Sequence, residues 1–94
     1  MQYFAVQTVY SSDREVLLAT RDRHREYLHA KTEDGNVLAA GPWNDDTGSL
    51  VIYAAADESE LAILLADDPY TEAGVSQERT IRQWRPVLGS WVVS

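Results

Sequence analysis

The sequence predicts an α+β fold with its elements in the order βαββαβ, a single antiparallel sheet carrying both helices on one face. Three observations point to it. Four short runs have strand composition, two longer segments carry helix start and stop signals, and the second and third strands are separated only by a turn cluster.

The first strand is "YFAVQTVY", Tyr3 to Tyr10, rich in β-branched and aromatic residues with apolar positions on both faces. In "SDRE" the Ser12 hydroxyl is placed to accept from the Glu15 amide while Glu15 reaches back to the Ser12 amide, a capping box that starts a helix. That helix runs, with room for a kink at Thr20 to Asp22, as far as "EDGN", where Gly35 supplies the left-handed conformation that ends helices. "VLAAGP", Val37 to Pro42, is a second strand finishing at about Gly41, because Pro42 has no amide to donate to a ladder. "WNDDTG" is a turn cluster, and "SLVIYAAA" resumes strand composition, so the two runs form a hairpin.

"DESELAILLADD" offers Asp57 as cap, Glu60 at the third helical position, and Leu61, Leu64 and Leu65 on one face. Pro69 pushes Asp68 out of helical geometry and closes this second helix. After a loop through Gly74, "SQERTIRQWRP" alternates well enough to be a fourth strand ending at Pro86, and residues 87–94 are a short apolar tail. This order is that of the ferredoxin-like split βαβ unit. One face of such a sheet lies bare, and because several strands are apolar on both sides, a second sheet from another copy of the chain is the expected cover.

Ninety-four residues make one domain, 1–94, whose burial is limited enough that pairing of subunits is expected. No apolar run approaches the ~20 residues that span a bilayer. The start "MQYFAVQTVY" has neither a basic region nor a cleavage site, so it reads as part of the fold, and the expected compartment is the cytoplasm. The absence of cysteine removes disulfides, thiolate nucleophiles and cysteine-ligated metal. Fifteen acidic residues against eight Lys and Arg give a net charge of −7, which speaks against nucleic acid and anionic membrane as partners.

The informative stretch is "RDRHREYL". At ~100° per residue, Val16, Thr20, His24, Tyr27, Leu28 and Lys31 share the stripe that should meet the sheet, while His29 points away. From the helix pattern alone His24 is an ordinary buried histidine bonded to a backbone carbonyl. Asp67 and Asp68 alter that reading. At the end of the second helix the macrodipole disfavours two carboxylates unless a donor is near, and a histidine bonded to one would have its tautomer fixed and its other nitrogen made more basic. Two solvated acids before a proline turn are the alternative.

"RDRHREYL", "GNVLAAGP", "DDPYTEAGV" and "RQWRPVLG", in that order, resemble the YCII-related family from Tyr3 to Gly89. The resemblance implies a ferredoxin-like chain that pairs sheet to sheet as a dimeric α+β barrel, and a histidine–aspartate active-site pair, here His24 and Asp68. It also implies acid–base chemistry on small organic molecules, of the dehydrochlorinase or lyase type, with no obligatory cofactor. The tail Ser90 to Ser94 extends beyond the motif and is a candidate for extending the dimer contact or covering a pocket.

Other constellations carry less. "NDDTG" lacks the alternating ligands of a calcium loop, His24 and His29 diverge, and Ser49 lacks a nucleophile-elbow pattern, so no metal site is expected. Tyr70, close after Asp68, and Trp84 are candidate pocket walls, as is Tyr27; Arg21 and Arg82 are candidate anchors for an anionic substrate. Three functions fit: an enzyme in which His24, oriented by Asp68, moves a proton in an elimination, isomerisation or tautomerisation; a non-catalytic module that binds a metabolite in the same pocket; and a dimerisation domain in which the pair is only a buried polar contact.

Overall fold

The computed structural model describes residues 1–90. Its elements are β1 (Gln2–Tyr10), α1 (Arg14–Glu33), β2 (Val37–Pro42), β3 (Gly48–Ala55), α2 (Glu58–Ala66), α3 (Pro69–Glu72) and β4 (Ser76–Trp84). The four strands form one sheet in the order β2-β3-β1-β4, every pair antiparallel, which is the expected ferredoxin-like arrangement.

Three local expectations change. The cap of α1 is Asp13 and not Ser12: the Asp13 carboxylate accepts from the Val16 amide at 3.2 Å, while Ser11 Oγ accepts the Asp13 amide. Both residue types cap well, but at the positive end of a twenty-residue helix the charged one gains more from the dipole. α1 runs as one helix through Thr20, whose hydroxyl is satisfied by the Val16 carbonyl at 2.8 Å. The segment after Pro69 is not only a loop: Pro69 ends α2 and, at the first position of α3, starts a new turn of helix, where its missing amide costs nothing.

Other signals act as expected. Asp57 caps α2 by accepting from the Glu60 amide at 2.9 Å, and Leu61, Leu64 and Leu65 are its buried face. Gly35 lies at φ +87°, the left-handed turn after α1. Gly48 is required for a different reason, because a β-carbon there would collide with the Thr8 carbonyl across the β1–β3 ladder.

Strand register decides which side chains meet the helices. Phe4, Val6 and Thr8 of β1 pair with Tyr53, Val51 and Ser49 of β3, and this face carries the core with Val37 and the three leucines of α2. A second cluster, Leu17, Tyr70 and Val75, closes the end of the sheet where α1 meets α3. The opposite face presents Tyr3, Ala5, Gln7 and Val9 against Ala54, Ile52, Leu50 and Gly48, with no helix over it. No described helix is long and apolar enough to cross a membrane. The tail's last residues, 91–94, lie outside the described residues, and so does the expectation about what they cover.

Candidate functional site

His24 sits in the middle of α1 on its inward stripe, and α3 brings Asp68 to it. His24 Nδ1 lies 2.7 Å from Asp68 Oδ1, with the two side chains only 13% and 5% exposed. The same carboxylate oxygen accepts the Tyr70 amide at 2.9 Å, which makes Asp68 the cap of α3. The electrostatic expectation is therefore corrected in part. Asp68 does not face the negative end of α2 as a stranded acid; Asp67 occupies that end, and Asp68 is turned by Pro69 onto two donors. The tautomer that donates Nδ1–H to the carboxylate has Nε2 as its unprotonated nitrogen.

The Tyr70 ring lies flat on the imidazole, centroids 3.7 Å apart and planes within 2°, and Tyr10 meets Tyr70 edge-on at 5.5 Å. Burial raises the pKa of both phenols, most of all through loss of hydration, so both are neutral donors around physiological pH. Packing thus holds the His24 ring plane from one side and Asp68 holds its edge.

In front of this group is a cavity of about 210 Å³. Leu17, Leu28 and Val51 give it apolar walls; His24, Tyr70 and Ser49 bring polar atoms to it. Asp68 does not line it. The carboxylate faces a separate hollow of about 10 Å³ behind the imidazole, with Tyr53 and Arg79. His24 borders both, as do Tyr10, Ser49, Val51 and Tyr70, so the imidazole that bonds the carboxylate also reaches the larger space.

Of the remaining sequence candidates, Tyr70 and Arg21 line the cavity. Arg82 and Trp84 do not: opposite Ala5 and Tyr3 in the β1–β4 ladder, they fall on the helix-free face of the sheet. Their alternation along β4 was visible, but which parity meets the helices depends on pairing with β1. Tyr27 is a structural tie, its hydroxyl donating to the Leu64 carbonyl at 2.7 Å. His29 is exposed, as expected. Of the acids of "NDDTG", Asp45 serves the turn, accepting from the Thr47 amide and hydroxyl, and Asp46 lines the cavity. Among the described residues no three of His, Asp and Glu gather as metal ligands.

Sequence reasoning missed Tyr10, Ser49, Arg14 and Arg25, all of which line the cavity. For the arginines a signal existed: Arg14, Arg21 and Arg25 are spaced seven and four apart, one face of a helix. Tyr10 and Ser49 had none, because their position depends on β1–β3 pairing.

The family model described as YCII-related domain matches residues 1–85. No curated protein sequence matches the chain. Among solved structures, the chain is similar to 5-chloro-2-hydroxyhydroquinone dehydrochlorinase of Burkholderia phenoliruptrix, in complex with 2,5-dihydroxybenzoquinone, at a TM-score of 0.76 and 22% identity over 88% of this chain and 93% of that one. It is also similar to an antibiotic biosynthesis monooxygenase, at a TM-score of 0.61 and 18% identity over 94% of this chain and 100% of that one. At these identities the likeness is one of fold.

Proposed function

This chain belongs to the YCII-related domain family, and from that premise we propose that it is a small-molecule enzyme in which His24 is the general base and Asp68 its positioning residue. The observation that carries the reading is an imidazole bonded to a buried carboxylate and at the same time part of the lining of a ring-sized cavity. Nε2 takes a proton from a substrate C–H or O–H; the electron pair left behind forms a new π bond as a leaving group departs with its own pair, or returns to a different atom as His24 gives the proton back. Asp68 stabilises the imidazolium formed in between. Elimination of the dehydrochlorinase or lyase type and isomerisation share this step. No cofactor is called for in the proton transfer.

The two similar structures, a dehydrochlorinase and a monooxygenase, support a small-molecule reaction class, and the dehydrochlorinase's quinone suggests cyclic, enolisable compounds as the first to test. The reading also has two chains pair through the helix-free sheet face, where the exposed Val9 and the half-buried Leu50 are apolar side chains a partner would cover.

The test follows solvent-deuterium incorporation and product formation by NMR for a panel of chlorinated hydroxyquinols and cyclic keto acids. His24→Ala should lower turnover by roughly 10²–10⁴-fold, and Asp68→Asn by roughly 10–100-fold. Full turnover by the His24→Ala protein would end the reading.

A further inference from the structure

We propose that the cavity takes a single-ring organic acid, with Arg21 gripping the carboxylate and Arg14 and Arg25 adding positive charge around it. This rests on the acid–base reading of His24 and adds what the substrate must carry.

The chain has eight Lys and Arg against fifteen acids, yet three of those eight line one cavity. At ~100° per residue they fall within roughly 40° of one another on α1. One carboxylate, Asp46, shares the lining. Among the described residues none of the three guanidiniums has an acidic partner within ion-pair distance; the ion pairs found are His24–Asp68 and Lys31–Asp34. Arg14 Nη1 makes only a 3.5 Å contact, to the Asp46 carbonyl. Arg21 is half-buried and its Nε, shielded from solvent, has no hydrogen-bond partner. Arg79 Nε, beside the small hollow at Asp68, is the other such donor among the described residues, but Arg21 is the one whose side chain lines the larger cavity. Arg14 and Arg25 are exposed at the rim and solvated, Arg21 is the half-buried one, and with a single carboxylate in the lining the three make a local field opposite in sign to the acidic chain as a whole.

A carboxylate answers that field and fits the planar guanidinium fork with two parallel hydrogen bonds. The rest of the ligand follows from the walls. About 210 Å³ exceeds the ~150 Å³ that accommodates benzene in an engineered cavity, leaving room for one substituted ring. Leu17, Leu28 and Val51 suit an apolar ring body, and His24 lies on the same lining as Arg21. An acid so held has its charge on the arginine side and its ring carbons toward Nε2.

The test compares 2,5-dihydroxybenzoate with its neutral amide, 2,5-dihydroxybenzamide, by calorimetry on the full chain, with the ¹⁵N signals of the His24 ring as reporter. The acid should bind at least ~10-fold more tightly than the amide, lose that advantage as salt rises, and shift the His24 signals. Arg21→Gln should abolish the preference while retaining the fold by circular dichroism, Arg21→Lys should keep part of it, and Arg82→Gln, on the far face of the sheet, should leave it intact. Equal affinity for acid and amide, or a preference that survives Arg21→Gln, would overturn the proposal. If both compounds bind alike and still shift His24, the anion grip falls and the base reading stands. If the acid binds without touching the His24 signals, the proposal falls as well, and the base reading is then judged by turnover of His24→Ala alone.

Discussion

Cutting the His24–Asp68 contact should cost stability in a way that can be itemised. Asp68 Oδ1 holds two bonds, to His24 Nδ1 and to the Tyr70 amide, and the residue is 4% exposed. A hydrogen bond to a charged group is worth roughly 1.5–3 kcal/mol, and an N-cap about 1 kcal/mol. Asp68→Ala should therefore lose roughly 2.5–4 kcal/mol, a large share of the ~5–15 kcal/mol typical of a whole domain. Asp68→Asn keeps an oxygen for the Tyr70 amide and should lose less. The double-mutant cycle with His24→Ala isolates the pair: its coupling should be roughly 1.5–3 kcal/mol, the worth of the one bond the two share, since Asp68→Ala strands His24 Nδ1 while His24→Ala leaves Asp68 with the Tyr70 amide alone. Urea unfolding followed by tryptophan fluorescence measures all four proteins, at one protein concentration because a paired chain's stability depends on it. Additivity of the two single changes within ~0.5 kcal/mol would refute the claim that these side chains are coupled.

Other expectations follow from the same structure. The Tyr27 phenol is pushed up to about 12, first by burial and then by the charges of Asp67 and Asp68. The unfolded chain ionises that phenol near pH ~10 while the folded one keeps its proton, so the stability it contributes is whole below pH ~10 and declines as pH climbs toward 12. Tyr27→Phe should flatten that alkaline limb in thermal melts, and at neutral pH should cost roughly 0.5–1.5 kcal/mol for the lost bond to the Leu64 carbonyl. Gly35→Ala, at φ +87° with nothing near the added carbon, should cost only about 1–2 kcal/mol. Gly48→Ala drives a methyl into the Thr8 carbonyl and should be far worse; similar unfolding midpoints for the two would contradict the close β1–β3 approach. Leu50→Asp on the bare sheet face should yield monomers in sedimentation velocity if the chain pairs there, and an unchanged sedimentation coefficient would remove that face as the interface.

Much of the architecture was legible because it is decided locally. Gly35 ends α1 through backbone sterics, Asp57 starts α2 through one side-chain bond, and the stripe that turns His24 inward and His29 outward follows from helical periodicity. Pro69 was legible as a stop but not as a start, since a proline that closes one helix also fits the first turn of the next.

By itself, then, the sequence determined the order of the four strands and the two main helices and the inward course of His24, each set by contacts within a few residues or by period, while the choice of Asp68 as its partner came from the family resemblance. Tertiary structure alone decided which strand side chains share the hollow with that imidazole. Tyr10 and Ser49 arrive through the β1–β3 register, while Arg82 and Trp84 are sent to the far side by the β1–β4 register. The physical reason is the two-residue repeat of a strand: a shift of one position exchanges its faces, and only hydrogen bonding to the neighbouring strand fixes that position.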